Sequence, residues 1–82
     1  MPQRNMPRPA AVYGIDIGKN IFHVVGLGSD GVPVQRVRFR RDTLLQFFER
    51  AAPAIVGMES CAGSQWIARK IQAFGHKVRL IP

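Results

Sequence analysis

"YGIDIGKN" (Tyr13–Asn20) and "VGMESCAG" (Val56–Gly63) decide how this chain folds. In each an apolar run carries a glycine two residues before an acid, Gly14 before Asp16 and Gly57 before Glu59. Short, apolar and rich in branched residues, both runs read as buried strands. Strand side chains alternate between the two faces of a sheet, so each glycine shares a face with its acid and leaves room beside it.

The elements around these runs follow from periodicity. The first strand spans Val12 to Gly18, and a small polar turn at Lys19 and Asn20 leads to a second, Ile21 to Leu27. "GSDGVP" (Gly28–Pro33) is rich in turn residues and predicts a hairpin. In the third strand, Val34 to Arg40, Val37 and Phe39 face one way while Arg36, Arg38 and Arg40 face the other. Asp42 is placed to cap a helix over Thr43–Ala52 with an apolar stripe of Leu44, Leu45, Phe48 and Ala51, ended by Pro53. "AIVGME" (Ala54–Glu59) is again a strand, Ala62–Phe74 a second helix burying Ile67, Ile71 and Phe74, and Lys77–Ile81 a last strand. Gly75 supplies a left-handed residue at the end of the second helix.

Strands joined by short turns make an antiparallel meander, whereas strands separated by helices make right-handed parallel crossovers. The expected fold class is therefore α/β, a mixed sheet in which a three-strand meander is followed by helix, strand, helix and strand. If the fourth strand lies parallel to the first and beside it, Asp16 and Glu59 both fall at carboxyl ends, where open α/β sheets place their ligands.

Composition bounds the rest. With 82 residues, 46% of them apolar, the chain makes one thin-cored domain, and no run approaches the ~20 apolar residues that span a membrane. The opening "MPQRNMPRPA" lacks a signal-peptide core, so residues 1–11 are expected to form a flexible basic arm on a soluble cytoplasmic protein. Cys61 is the sole cysteine, which excludes an internal disulfide and a thiolate-built zinc site. Twelve Lys+Arg against five Asp+Glu give a net charge of +7, and nine of the twelve are arginines, the side chain that forks onto phosphate. A polyanionic partner, nucleic acid first among them, fits that balance, as does a merely solubilising surface.

Two ionised carboxylates side by side repel unless a proton or a cation lies between them. A hard cation such as Mg²⁺ suits oxygen ligands and needs few of them from the protein. Asp16 and Glu59 are thus candidate metal ligands for phosphodiester chemistry, against the plain alternative of solvated strand ends, Glu59 also favoured by the helix that follows it. Arg36, Arg38 and Arg40 read either as protection of an edge strand or as a phosphate-binding stripe. Lys19 is a candidate phosphate contact or a solvated turn residue. Ser60 and Ser64 are assigned to helix capping, Cys61 to packing, His23 to the core or a sheet edge, His76 to a solvated turn and Trp66 to the edge of the core.

"YGIDIGKNIFHVVGLGSDG" and "IVGMESCAGSQWIARKIQAFGHKVRLIP" together resemble the N-terminal domain of the DEDD transposases of insertion-sequence family 110, over roughly Val12 to Pro82. The resemblance implies a ribonuclease-H-like, RuvC-like catalytic domain in residues 12–82 and a Mg²⁺-dependent DNA recombinase. Asp16 then matches the first acid of that family and Glu59 the second. The later pair of aspartates and the C-terminal domain with the serine nucleophile have no counterpart before Pro82, so this chain alone is expected to be inactive. DNA, an element-encoded guide RNA and further copies of the chain are the partners the resemblance implies. Two other readings compete with it: a nucleotide-binding fragment of the actin-like and sugar-kinase group, which also opens on a Gly-x-Asp-x-Gly turn, and an inert nucleic-acid-binding module that needs no metal.

Overall fold

A computed structural model describes residues Met6–Pro82. Seven elements follow one another: β1 (Val12–Ile17), β2 (Phe22–Leu27), β3 (Pro33–Phe39), α1 (Arg41–Arg50), β4 (Ile55–Glu59), α2 (Ser64–Ala73) and β5 (Lys77–Ile81). They form one five-stranded sheet in the order β3-β2-β1-β4-β5. β1–β2 and β2–β3 pair antiparallel, whereas β1–β4 and β4–β5 pair parallel. The mixed α/β sheet expected from the sequence is the sheet observed, and the arginine-bearing β3 is one of its edges.

Both helices cover the same face. Tyr13, Ile15, Phe22, Val24, Val56 and Met58 point from the central strands into a core shared with Leu44, Phe47 and Phe48 of α1 and Ile67, Ala68 and Ile71 of α2. Tyr13 lies edge-on to Phe47 and Phe48, with ring centroids 5.7 and 5.2 Å away, an arrangement aromatic quadrupoles favour. Burial pushes the Tyr13 phenol above its ordinary pKa of 10.0, and its hydroxyl donates to the Arg8 carbonyl at 2.9 Å.

Turn chemistry sets the strand ends. The Gly18 N–H donates to the Ile21 carbonyl at 3.0 Å, and a Cβ at Gly18 would stand 2.6 Å from that same oxygen, so the β1–β2 turn admits no side chain there. In the β2–β3 loop Gly31 has φ +82°, and Gly75 after α2 has φ +103°, the left-handed conformation expected of it.

Several side chains depart from the sequence reading. α1 starts at Arg41, with Thr43 Oγ1 accepting from the Arg40 N–H at 3.0 Å and donating to the Arg40 carbonyl; Asp42 lies inside the helix rather than at its cap and accepts from the adjacent Thr43 N–H. Phe47 joins the buried stripe because α1 packs against both β3 and α2, widening its apolar face. His76 is 3% exposed rather than solvated: its Nδ1 accepts from the Ala54 N–H at 3.2 Å and its Nε2 faces the Phe48 carbonyl at 2.6 Å. The two bonds together define a neutral imidazole carrying its proton on Nε2. Cys61 is exposed rather than packed. Trp66 is 41% exposed at the surface of α2, outside the buried cluster.

Residues 1–5 of the expected arm lie outside the described residues. From Met6 onward the chain runs along the β2–β3 side: the Arg8 N–H donates to Gln35 Oε1 and Gln35 Nε2 donates to the Met6 carbonyl, each at 2.9 Å. The Ala11 N–H donates to the Leu27 carbonyl at 2.8 Å, extending the β1–β2 ladder.

Candidate functional site

With both helices on one side, the opposite face of the sheet is bare among the described residues, and its side chains can be read off the registers. Gly14 pairs with Gly57 across β1 and β4, and Ile15 with Met58. One residue further along each strand stand Asp16 and Glu59, exposed at the carboxyl ends of two adjacent parallel strands and on the face of the paired glycines. Across the antiparallel neighbours, Asp16 pairs with His23 and His23 with Arg38. The rung across the sheet therefore reads Glu59, Asp16, His23, Arg38, and the rung below it Arg79, Gly57, Gly14, Val25, Arg36.

Asp16 and Glu59 line the same open trough, about 690 Å³ in volume, together with Gly14, Gly57, His23 and Ile81. The glycines keep it open: a Cβ at Gly14 would meet nothing within 4 Å, and one at Gly57 would reach only Ile81 Cδ1, at 3.9 Å. A wide pair of side chains here would fill the space directly beside the carboxylates.

Two carboxylates supply oxygen donors of the kind Mg²⁺ takes, and Mg²⁺ commonly uses only one or two with water and phosphate oxygens completing its shell. No group of three or more His, Cys, Asp or Glu among the described residues is arranged to hold an ion. The donor set thus fits a hard, mostly hydrated cation and no closed metal cage.

The other residues singled out in the sequence divide. Arg36 and Arg38 share the bare face with the carboxylates. Arg40 leaves that row because β3 ends at Phe39 and Arg40 becomes the cap of α1, lining a shallow pocket with Ile21, Arg38 and Thr43. Lys19 is exposed in the turn that follows β1. Ser64 is fully buried, its Oγ accepting from the Cys61 N–H at 2.9 Å and donating to the Cys61 carbonyl at 2.8 Å, a capping role at the start of α2. For Ser60 the bond is through its backbone, from its N–H to the Ile81 carbonyl at 2.7 Å.

His23 and Arg79 were not among the site residues expected from sequence. The signal was the register: His23 lies two residues before Val25, which pairs with Gly14, and Arg79 pairs with Gly57.

With this geometry in place, comparison with known proteins adds a direction. The chain is 48% identical over 85% of its length to the transposase for insertion sequence element IS1328 of Yersinia enterocolitica. Each relative bears the name transposase. A Pseudomonas aeruginosa protein named "Probable family 20 transposase" is 35% identical over 83% of the chain, and a Sinorhizobium fredii relative 37% identical over 83%. The chain spans only about a fifth of the length of these relatives, 21%, 20% and 18% respectively. No protein-family model matches the chain, and no solved structure matches it. Among the described residues no helix is long and apolar enough to cross a membrane.

Proposed function

We propose that this chain is part of an insertion-sequence transposase and contributes two acids, Asp16 and Glu59, to a divalent-metal centre that acts on DNA. The observation that carries the reading is the parallel pairing of β1 with β4, which sets both acids at adjacent carboxyl ends above a glycine-lined trough. The sheet order β3-β2-β1-β4-β5, with both crossovers on one face, supports a ribonuclease-H-like, RuvC-like arrangement. The transposase names of the relatives favour this over the nucleotide-binding alternative, and the net charge of +7 gives the phosphate backbone a reason to approach.

Asp16 and Glu59 would hold Mg²⁺ from the protein side. Bound there, the ion would polarise a phosphoryl oxygen and lower the pKa of a coordinated water. The protein's own contribution is placement. β1 and β4 fix the spacing of the carboxylates, Gly14 and Gly57 clear the floor, and Arg36 and Arg38, with Lys19 and Arg40 at the adjoining strand ends, offer cations to a DNA strand crossing the bare face. Only two acids come from this chain, so strand transfer requires the further residues that the longer relatives have room to supply.

Titration with Mn²⁺ as a paramagnetic reporter tests the assignment. Broadening should centre on the amides of Asp16, Gly57 and Glu59, be competed by Mg²⁺, and vanish in Asp16→Asn. Broadening spread over the surface, or unchanged in Asp16→Asn and Glu59→Gln, removes the metal centre. Purified chain with Mg²⁺ should not join DNA strands.

A further inference from the structure

The helix side of the molecule carries a second feature that the carboxylate site does not use. Trp66, in the first turn of α2, is 41% exposed and lies outside the buried core cluster. The Arg41 guanidinium carbon lies 5.6 Å from the centre of its ring and the Lys70 ammonium 5.8 Å. Arg41 opens α1 and Lys70 is one helical turn beyond Trp66, so two separate helices bring their cations to one indole. Asp42, the acid nearest in sequence to Arg41, is turned to the Thr43 N–H at 2.9 Å.

We infer that Trp66, Arg41 and Lys70 form a stacking platform for an unpaired nucleic-acid strand. The indole is a flat apolar surface that matches a base, and Arg41 and Lys70, which lie over the ring, are long flexible side chains that a stacking base would displace onto its own flanking phosphates. A base in a duplex has both faces covered by its neighbours, so this surface selects single strands. Charge complementarity is in place, since the chain carries +7.

The platform also stands at the same end of the sheet as the acids. β3 and β4 both run parallel to β1, so the starts of α1 and α2 follow carboxyl ends, as Asp16 and Glu59 do. A strand held on Trp66 would leave the helix layer at the rim of the trough. The inference goes beyond the metal reading and uses neither carboxylate.

Trp66 is the only tryptophan in the chain, so its fluorescence reports on this surface alone. The purified chain is titrated at low salt with oligothymidylate, with oligouridylate and with a duplex, each of about 12 nucleotides per strand, a length within the usual range of single-strand sites. Intrinsic fluorescence is read in parallel with the anisotropy of an end label. Either single strand should quench Trp66 as it binds, the stronger of the two identifying the sugar, and the duplex should not.

Trp66→Ala should weaken single-strand binding at least about fivefold, with Trp66→Phe retaining part of it. Arg41→Ala with Lys70→Ala should flatten the salt dependence by about one unit of slope or more. Asp16→Asn should leave the quenching intact even where it abolishes metal binding, which separates this inference from the preceding one. Binding without quenching, unchanged affinity in both Trp66 variants, equal quenching by duplex, or no binding of either single strand overturns the platform.

Discussion

Replacing His76 by Phe tests whether the fold that positions the acids is held as described. The imidazole ties the last turn of α1 to the chain entering β4, through the Phe48 carbonyl on one side and the Ala54 N–H on the other. Phe fills nearly the same volume and keeps the edge-on contact with Phe48, whose ring centroid is 5.5 Å from that of His76. What it removes is one donor and one acceptor.

A buried polar group left without a partner costs about 1–3 kcal/mol. The Phe48 carbonyl is in the buried bond and should bear the larger share; the Ala54 N–H is partly buried and can recover some of its loss from water. A total of about 2–4 kcal/mol follows. A chain of this size has a total stability of about 4–12 kcal/mol, so the variant should lose a large fraction of it.

Urea unfolding followed by far-ultraviolet circular dichroism measures the effect, with the slope of the transition checked for constancy. Gln at position 76 can imitate the Nε2 donor and Asn the Nδ1 acceptor, so stability should fall in the order wild type, His76→Gln, His76→Asn, His76→Phe. A His76→Phe variant as stable as wild type refutes the clamp.

Three further outcomes are expected. Gly18→Ala should destabilise by about 1–3 kcal/mol, the usual cost of forcing a group into occupied space, because its Cβ would meet the Ile21 carbonyl at 2.6 Å; Gly14→Ala, with no neighbour within 4 Å, should change stability by less than about 0.5 kcal/mol in the same urea assay. Tyr13 is the only tyrosine, so phenolate absorbance follows it alone: stability should be full below pH 10, the unfolded value, and fall as pH rises from there through the raised folded value, because the folded chain holds the proton more tightly. Arg36→Ala, Arg38→Ala and Arg40→Ala combined should lower the slope of log affinity for DNA against log salt by roughly two to three units; an unchanged slope removes these arginines from the DNA path.

The sheet was legible in the sequence because its signals are local. Gly18, Asn20, Gly28 and Gly31 punctuate short apolar runs, and the long gaps around α1 and α2 force parallel crossovers. The matched Gly-x-acid pattern put Gly14 and Gly57 each on the face of its acid, and the parallel β1–β4 pairing, with Gly14 opposite Gly57, brings the two together. What could not be read were encounters between distant segments. His76 bonds a carbonyl 28 residues away, and nothing in "FGHKV" marks it as buried. Trp66 meets Arg41 only once two helices lie together. Arg40 belonged by alternation to the basic face, but the Thr43 hydroxyl captured its backbone and ended the strand one residue early.

The order in which the molecule assembles follows from the β1–β4 pairing. β1, β2 and β3 are joined by tight turns and can zip within microseconds, as hairpins of this kind do. Asp16 and Glu59 come from strands that must close a much longer loop, containing β2, β3 and α1, and long-range pairing of this kind forms later than local hairpins. The juxtaposed carboxylates, and with them the metal centre proposed above, are therefore absent from early folding species. Divalent cations should slow unfolding while leaving the speed of folding nearly untouched.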